Sequence, residues 1–222
     1  MSVAGRKTTL PYGALFGALA LVGYGGALIQ PAAATSLAPL SLEQKVDAAD
    51  LVAVGTVTDV WTTIGDHGVG THLTLHVDRS LKGLPNANSA GDVEVYVPGG
   101  ELDGSRTLVE GAPRYGVGED VVVLLGSRSD GSYLNILFGA GKYTIKQNPT
   151  DGEPMVVQFT VPYDRTWNFR FIPNPPKDSR TSLTSLEARI ADRVALGWNG
   201  QPIPGISVEK LRSINHLQAG VR

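Results

Sequence analysis

The stretch that decides the fold is Asp50-Leu-Val-Ala-Val-Gly-Thr-Val-Thr-Asp-Val-Trp61, followed by a polar turn and then Thr71-His-Leu-Thr-Leu-His-Val-Asp-Arg-Ser-Leu-Lys-Gly83. It contains two β-runs of opposite character. Leu51, Val52, Ala53 and Val54 are apolar in succession, then Gly55 interrupts and Val57 and Val60 follow. That pattern predicts a strand buried on both faces with a glycine bend or bulge. In the second run Leu73, Leu75 and Val77 alternate with His72, Thr74, His76 and Asp78. Period two predicts one face packed and one face wet. Gly65-Asp66-His67-Gly68 between them reads as the hairpin connection.

Working outward, the punctuation keeps the same rhythm. Ser41-Leu-Glu-Gln44 fits a capping box ahead of a short helix over 41–48. After the hairpin, Val93, Val95 and Val97 alternate with Asp92, Glu94 and Tyr96, and Pro98-Gly99-Gly100 stops that strand. Asp103-Gly104 marks a tight turn before a short edge strand over 106–110. Val121 to Leu125 is a continuous apolar run, the best candidate for a central strand. Asp130-Gly131 then signals a hairpin to a strand at Tyr133–Phe138, and Lys142–Lys146 and Val156–Val161 follow as further strands. Thr184-Ser-Leu-Glu187 is a second capping-box pattern opening a helix over 184–196, with Arg189 and Arg193 outward and Gly197 as its stop. Ser207 to Leu217 reads as a third helix with Val208, Leu211 and Ile214 inward. Many short strands joined by glycine turns, with helices at both ends, predict a mainly β protein: a small barrel or sandwich with short flanking helices, the barrel being preferred.

Composition narrows the class. The chain has 222 residues, 42% hydrophobic and 18% charged, with 27 glycines and 14 prolines and a net charge of −2. It can bury a core, and it lacks the basic footprint of a nucleic-acid binder. Arg6 and Lys7, the apolar run Ala14–Ile29 and the Ala32-Ala33-Ala34 cleavage pattern predict a signal peptide over 1–34, hence export. That apolar run is short for a spanning helix, which needs about 20 residues; an uncleaved signal segment is the one expected route to the membrane. There is no cysteine, so neither a disulfide staple nor a thiolate metal site is expected. An exported chain without disulfides points to a bacterial periplasm or medium. The expected organisation is a signal peptide at 1–34, a β-barrel at 35–161, and an extended arm with C-terminal helices packing on the barrel at 162–222.

Few constellations carry chemistry. His72 and His76 share a face, but on a strand they stand roughly 13 Å apart at about 3.3 Å per residue, too far to share one metal ion. The glycine-rich stretches at 98–100, 116–118 and 139–141 lack the endings of phosphate-binding loops. Glu101 with Asp103, and Glu119 with Asp120, are carboxylate pairs beside turn glycines, without a legible activating partner. No nucleophile elbow is present. No cofactor and no metal is expected. The arm Tyr163-Asp-Arg-Thr-Trp-Asn-Phe-Arg-Phe171 places Trp167, Phe169, Phe171 and Arg165 on one parity. It reads either as a recognition ridge, since aromatics and arginine are enriched at hot spots, or as an arm covering the apolar surface of the barrel; the second reading is favoured, because three exposed aromatics invite aggregation. Arg165, Trp167, Phe169, Phe171 and Glu101 are the candidate binding residues, with the loops 84–91 and 98–105.

The motifs Ser41-Leu-Glu-Gln44, Ala49-Asp50-Leu-Val-x-Val-Gly55, Leu81-Lys82-Gly83, Val97-Pro-Gly-Gly-Glu101, Gly111-Ala-Pro113 and Gly118-Glu-Asp-Val-Val-Val-Leu124 are similar to those of a large group of exported bacterial proteins of uncharacterised function, over about 41–146. The order helix, Ala-Asp, apolar strand, hairpin, strand, Leu-Lys-Gly also resembles the N-terminal OB-fold of tissue inhibitors of metalloproteinases and related netrin-like domains. That likeness implies a five-stranded Greek-key barrel and an exported protease as partner. Those inhibitors chelate the protease zinc through an N-terminal cysteine, which this chain lacks, so that mechanism is not carried over. The expected function is a non-enzymatic binding module of the bacterial envelope or secretome, whose partner is an exported protein or an envelope component; the alternatives are a protease-inhibitor-like domain or a secreted hydrolase.

Overall fold

The unbroken apolar run from Leu51 and the alternation from His72 to Asp78 make the frame. In the computed structural model, which describes residues 40–65, 68–158 and 180–219 (of 215–219 only the backbone), β1 (Leu51–Gly65) and β2 (Gly68–Lys82) form one long antiparallel hairpin. The expected irregularity is present: the register slips at Val54/Gly55 and again between Val57 and Asp59. A Cβ on Gly55 would lie 2.2 Å from the carbonyl oxygen of His76, so only glycine lets the two strands approach there. The first half of β1 also pairs a second neighbour along its other edge. Leu51–Thr56 run antiparallel to β6 (Asp120–Ser127).

The rest of the barrel follows from that doubled pairing. β3 (Asp92–Pro98) adds to β2, and β7 (Tyr133–Asn135) lies parallel to β3 and antiparallel to β6. The strand order is thus β1-β2-β3-β7-β6 with a return to β1, an OB-like Greek-key barrel. The barrel is partial. Its β3–β7 seam is two residue pairs long, Val95↔Tyr133 and Tyr96↔Leu134. The β6 edge that carries β7 also carries β8 (Lys142–Gln147), from which β9 (Pro154–Gln158) and β10 (Arg180–Ser182) extend as an open sheet. β4 (Gly100–Leu102) and β5 (Ser105–Thr107) form a separate small hairpin.

Two cores share β1 and β6, which explains their continuous apolar runs. Leu51, Ala53, Val57, Leu73, Leu75, Val93, Val95, Val121, Val123 and Leu125 fill the barrel. Val52, Val54, Val122 and Leu124 face outward under α1 (Leu42–Ala48) and α2 (Leu183–Leu196), which supply Leu42, Val46, Leu186 and Ile190. α3 (Val208–Ala219) packs Leu211 beside Ala48 and Ile203. No helix among the described residues is long and apolar enough to cross a membrane.

Some expectations need correction. The first capping box forms at Ser41 and Gln44, but α2 is capped by Ser182, whose hydroxyl accepts from Ser185 N, so the helix starts before the predicted box at Thr184. Arg193 does not point to solvent; it is paired with the buried Asp47 of α1. Val208 is exposed rather than inward. The strand predicted at 133–138 ends at Asn135, because Leu137 and Phe138 take left-handed backbone and lead into a 3-10 turn, Phe138–Gly141. The edge strand expected at 106–110 is Ser105–Thr107.

Candidate functional site

The described residues line an open cavity of about 350 Å³ where β3 leaves the barrel. Pro98 ends β3, and two glycines then turn the chain across β2. Gly99 and Gly100 both have positive φ, 93° and 154°. A Cβ on Gly99 would meet the Thr107 carbonyl oxygen at 2.9 Å, and one on Gly100 would meet Thr71 Oγ1 at 2.7 Å. Thr71 Oγ1 donates to the Gly99 carbonyl at 2.7 Å, and the Thr107 hydroxyl accepts from Val69 N at 2.9 Å. Asp103 and Gly104, both at positive φ, close the β4–β5 turn as expected. These contacts fix one wall: Val97, Pro98, Gly99, Gly100 and Glu101, with Arg106 and Thr107 beyond.

The opposite wall is the loop bearing Ala112, Pro113, Arg114 and Tyr115. It is held from behind by a partly buried polar cluster. Tyr115 Oη donates to Asn135 Oδ1 at 2.7 Å. Lys142 Nζ donates to the Arg114 carbonyl and to both Glu119 carboxylate oxygens, at 2.7 and 2.8 Å, and lies 4.3 Å from the centre of the Tyr115 ring. Thr144 Oγ1 and Gly116 N also donate to Glu119. Burial pulls the Glu119 carboxyl upward, but the hydrogen bonds from Lys142 and Thr144 outweigh it and hold the group below the ordinary glutamate range. Burial lowers Lys142, against the pull of Glu119, and burial raises the Tyr115 phenol well above its usual range.

Of the predicted binding residues, Glu101 lines this cavity. It sits on β4 opposite Arg106, and its backbone carbonyl accepts from Thr62 Oγ1 at 3.3 Å. Arg165, Trp167, Phe169 and Phe171 lie outside the described residues, as do His67 and the side chain of His216. The loop at 84–91 is tied down: Asn86 N donates to Tyr133 Oη at 2.8 Å, and Asn88 Oδ1 accepts from Ala90 N and Asp92 N. His72 and His76 each face a carboxylate on β3, Glu94 at 2.7 Å and Asp92 at 2.9 Å. No group of three metal-capable side chains occurs among the described residues.

Two features escaped the sequence. One is the Glu119–Lys142–Tyr115 cluster: Lys142 and Thr144 share a parity, but which parity faces inward depends on the neighbour of β8. The other is a row on the outer barrel face. Trp61 stacks on His72 with ring centres 5.5 Å apart, His72 meets Tyr96 edge-on at 5.2 Å, and the Arg128 guanidinium covers Tyr96 at 4.3 Å. Alternation alone places His72 and Tyr96 on wet faces of adjoining strands; their register makes them neighbours.

No protein-family model matches the chain, and no curated protein matches it. The sequence motifs nevertheless sort by role in the fold. Ala49, Asp50, Lys82 and Gly83 knit α1 to the hairpin base: Lys82 Nζ donates to the carbonyls of Val46 and Asp47, the last turn of α1. Val97-Pro-Gly-Gly-Glu101 and Ala112-Pro113 converge on the cavity.

Proposed function

We propose that the chain is an exported binding module of the bacterial envelope or secretome, and that it takes its ligand at the cavity between Val97–Glu101 and Arg106–Tyr115. The observation that carries this reading is the convergence of two separate motif stretches on one concavity whose walls are held by glycine turns on one side and a partly buried charge cluster on the other. Its size falls at the lower end of small-ligand pockets, which run about 300–1,000 Å³. A mixed lining of apolar and charged side chains is what selective recognition uses. Export rests on the signal-like segment at 1–34, and the likeness to exported bacterial proteins supports the same reading.

The inhibitor-like alternative draws on one observation, the partial five-stranded Greek-key barrel β1-β2-β3-β7-β6, the architecture that the netrin-like resemblance implies. The two readings part in one experiment. Tagged wild-type protein and Ala112→Phe, which fills the cavity, are crosslinked in the native culture and their partners identified by mass spectrometry. The binding-module reading expects envelope or secreted components captured by the wild type and lost in the variant. Stoichiometric inhibition of a captured exported protease, unchanged in Ala112→Phe, would move the assignment to the inhibitor. Equal capture of every component by both proteins would remove the cavity from consideration.

A further inference from the structure

We infer that the cavity holds a small carboxylic acid with an apolar body, its carboxylate gripped by Arg114. The inference rests on the binding-module reading and adds the chemistry of the ligand. Three charged side chains line the cavity: Glu101, Arg106 and Arg114. Glu101 and Arg106 stand directly opposite each other on β4 and β5, unlike charges in register, although no ion pair joins them among the described residues. Arg114 has no such neighbour in register, and among the described residues it forms no ion pair. With two arginines against one glutamate, the lining carries one net positive charge in a chain whose net charge is −2.

The backbone at Arg114 is clamped rather than merely present. Its carbonyl accepts from Lys142 Nζ, and the adjoining Tyr115 is fixed by Asn135. Burying Lys142 against Glu119 has a desolvation cost that a salt bridge seldom recovers in stability. Placing the 114–116 backbone is a use for that cost, because a guanidinium presented from a fixed main chain loses less freedom on binding. Arg114 is the anchor, and Lys142 is a positioning residue.

The anion follows from the charge balance. A guanidinium fork matches a carboxylate with two parallel hydrogen bonds. A phosphate dianion needs more positive charge than one arginine gives, and the Glu101 carboxylate on the same lining opposes it. Val97, Pro98, Val109, Ala112 and Pro113 offer an apolar surface for the remainder of the ligand. The combination selects a monoanion with a hydrocarbon body.

The test is an amide-resolved NMR titration of the full chain with hexanoate, with hexanamide (the same body without charge) and with inorganic phosphate. Hexanoate is expected to give saturable shifts at Gly99, Gly100, Ala112 and Arg114. Hexanamide should bind about tenfold more weakly, the loss of one charge-assisted hydrogen-bond pair. Arg114→Gln should lose the same factor while keeping a native spectrum, Arg114→Lys should fall between, and Arg106→Gln should change affinity less than Arg114→Gln. Equal binding of hexanoate and hexanamide, or tighter binding of phosphate, overturns the carboxylate assignment and leaves the cavity a binding site. No saturable shift at the cavity with any of the three probes overturns the inference, while the binding-module reading stands or falls separately on the crosslinking comparison.

Discussion

Lys82 places a charge where water scarcely reaches, at 4% exposure, against the last carbonyls of α1. Burial drives its pKa down from 10.5 to about 8, with the carboxylates of Asp47 and Asp50 pulling back upward. The sign follows from proton counting. Between about 8 and 10.5 the unfolded chain binds more protons than the folded one, so stability rises with pH through that window. Urea unfolding from pH 7.5 upward is expected to show the wild type gaining on Lys82→Met across that range; a constant difference between the two would sink the assignment. Its neighbour Gly83 is constrained by space. At φ 76° its Cβ position lies 2.2 Å from the Asp50 carbonyl oxygen. Backbone cannot step aside as a flexible side chain can, so Gly83→Ala should cost about 2–4 kcal/mol, a backbone-strain effect at the upper end of single substitutions. Chemical denaturation measures it directly. The Leu81-Lys82-Gly83 motif is thus a structural joint, and substitutions there report on folding rather than on ligand binding.

At the scale of elements, α1 and α2 are held together by charge as well as by Leu42, Val46, Leu186 and Ile190. Arg193 grips Asp47 through two nitrogens, Nε at 2.9 Å, and both side chains are largely buried. Glu43–Arg189 joins the same helices at the surface, where such pairs contribute about 1 kcal/mol or less. Breaking the inner pair alone, as in Arg193→Met, leaves Asp47 buried without its partner and should cost about 3–5 kcal/mol. The double variant Asp47→Leu with Arg193→Met should recover most of that loss, so a double-mutant cycle in urea separates the pair from its packing. The helices themselves were legible: Ser41-Leu-Glu-Gln44 specifies one start and Gly197 one stop. Their partners were not. Period 3.6 put Arg193 on the outward stripe of α2, and only the docking of α2 on α1 turns that stripe inward. The same limit hid the cavity. Glu101 and the 98–105 loop were recognisable as candidates because glycine pairs and turn residues are local signals. Arg114 and Lys142 lie 28 residues apart in sequence and meet only through the pairing of β8 with β6. Local pattern holds no record of that pairing.

For the whole molecule, the governing feature is the shared edge of β6. Val121–Val123 pair with β8 and Leu125–Ser127 with β7 along one edge, while the other edge is occupied by β1. A strand whose outer edge is divided this way cannot close the barrel along its full length. The barrel is therefore held by an extended seam at β1–β6 and a short one at β3–β7, two residue pairs long. Unequal seams imply unequal local opening, because the free energy of a local fluctuation scales with the hydrogen bonds and apolar contacts it breaks. Native-state hydrogen exchange should find the amides of Val52, Val54, Val122 and Leu124, buried on both sides, exchanging only on global unfolding. The amides at the β3–β7 seam should exchange through a smaller opening, even though Tyr133 is 3% exposed. That opening moves the strand end from which Pro98 and Gly99 lead into the cavity wall. A ligand bound between the two walls is then expected to slow exchange at Val95, Tyr96 and Leu134 while leaving the β1–β6 amides unchanged. Uniform protection of all five barrel strands, with or without ligand, would mean that the short seam opens no more readily than the long one and that the cavity wall is as rigid as the core.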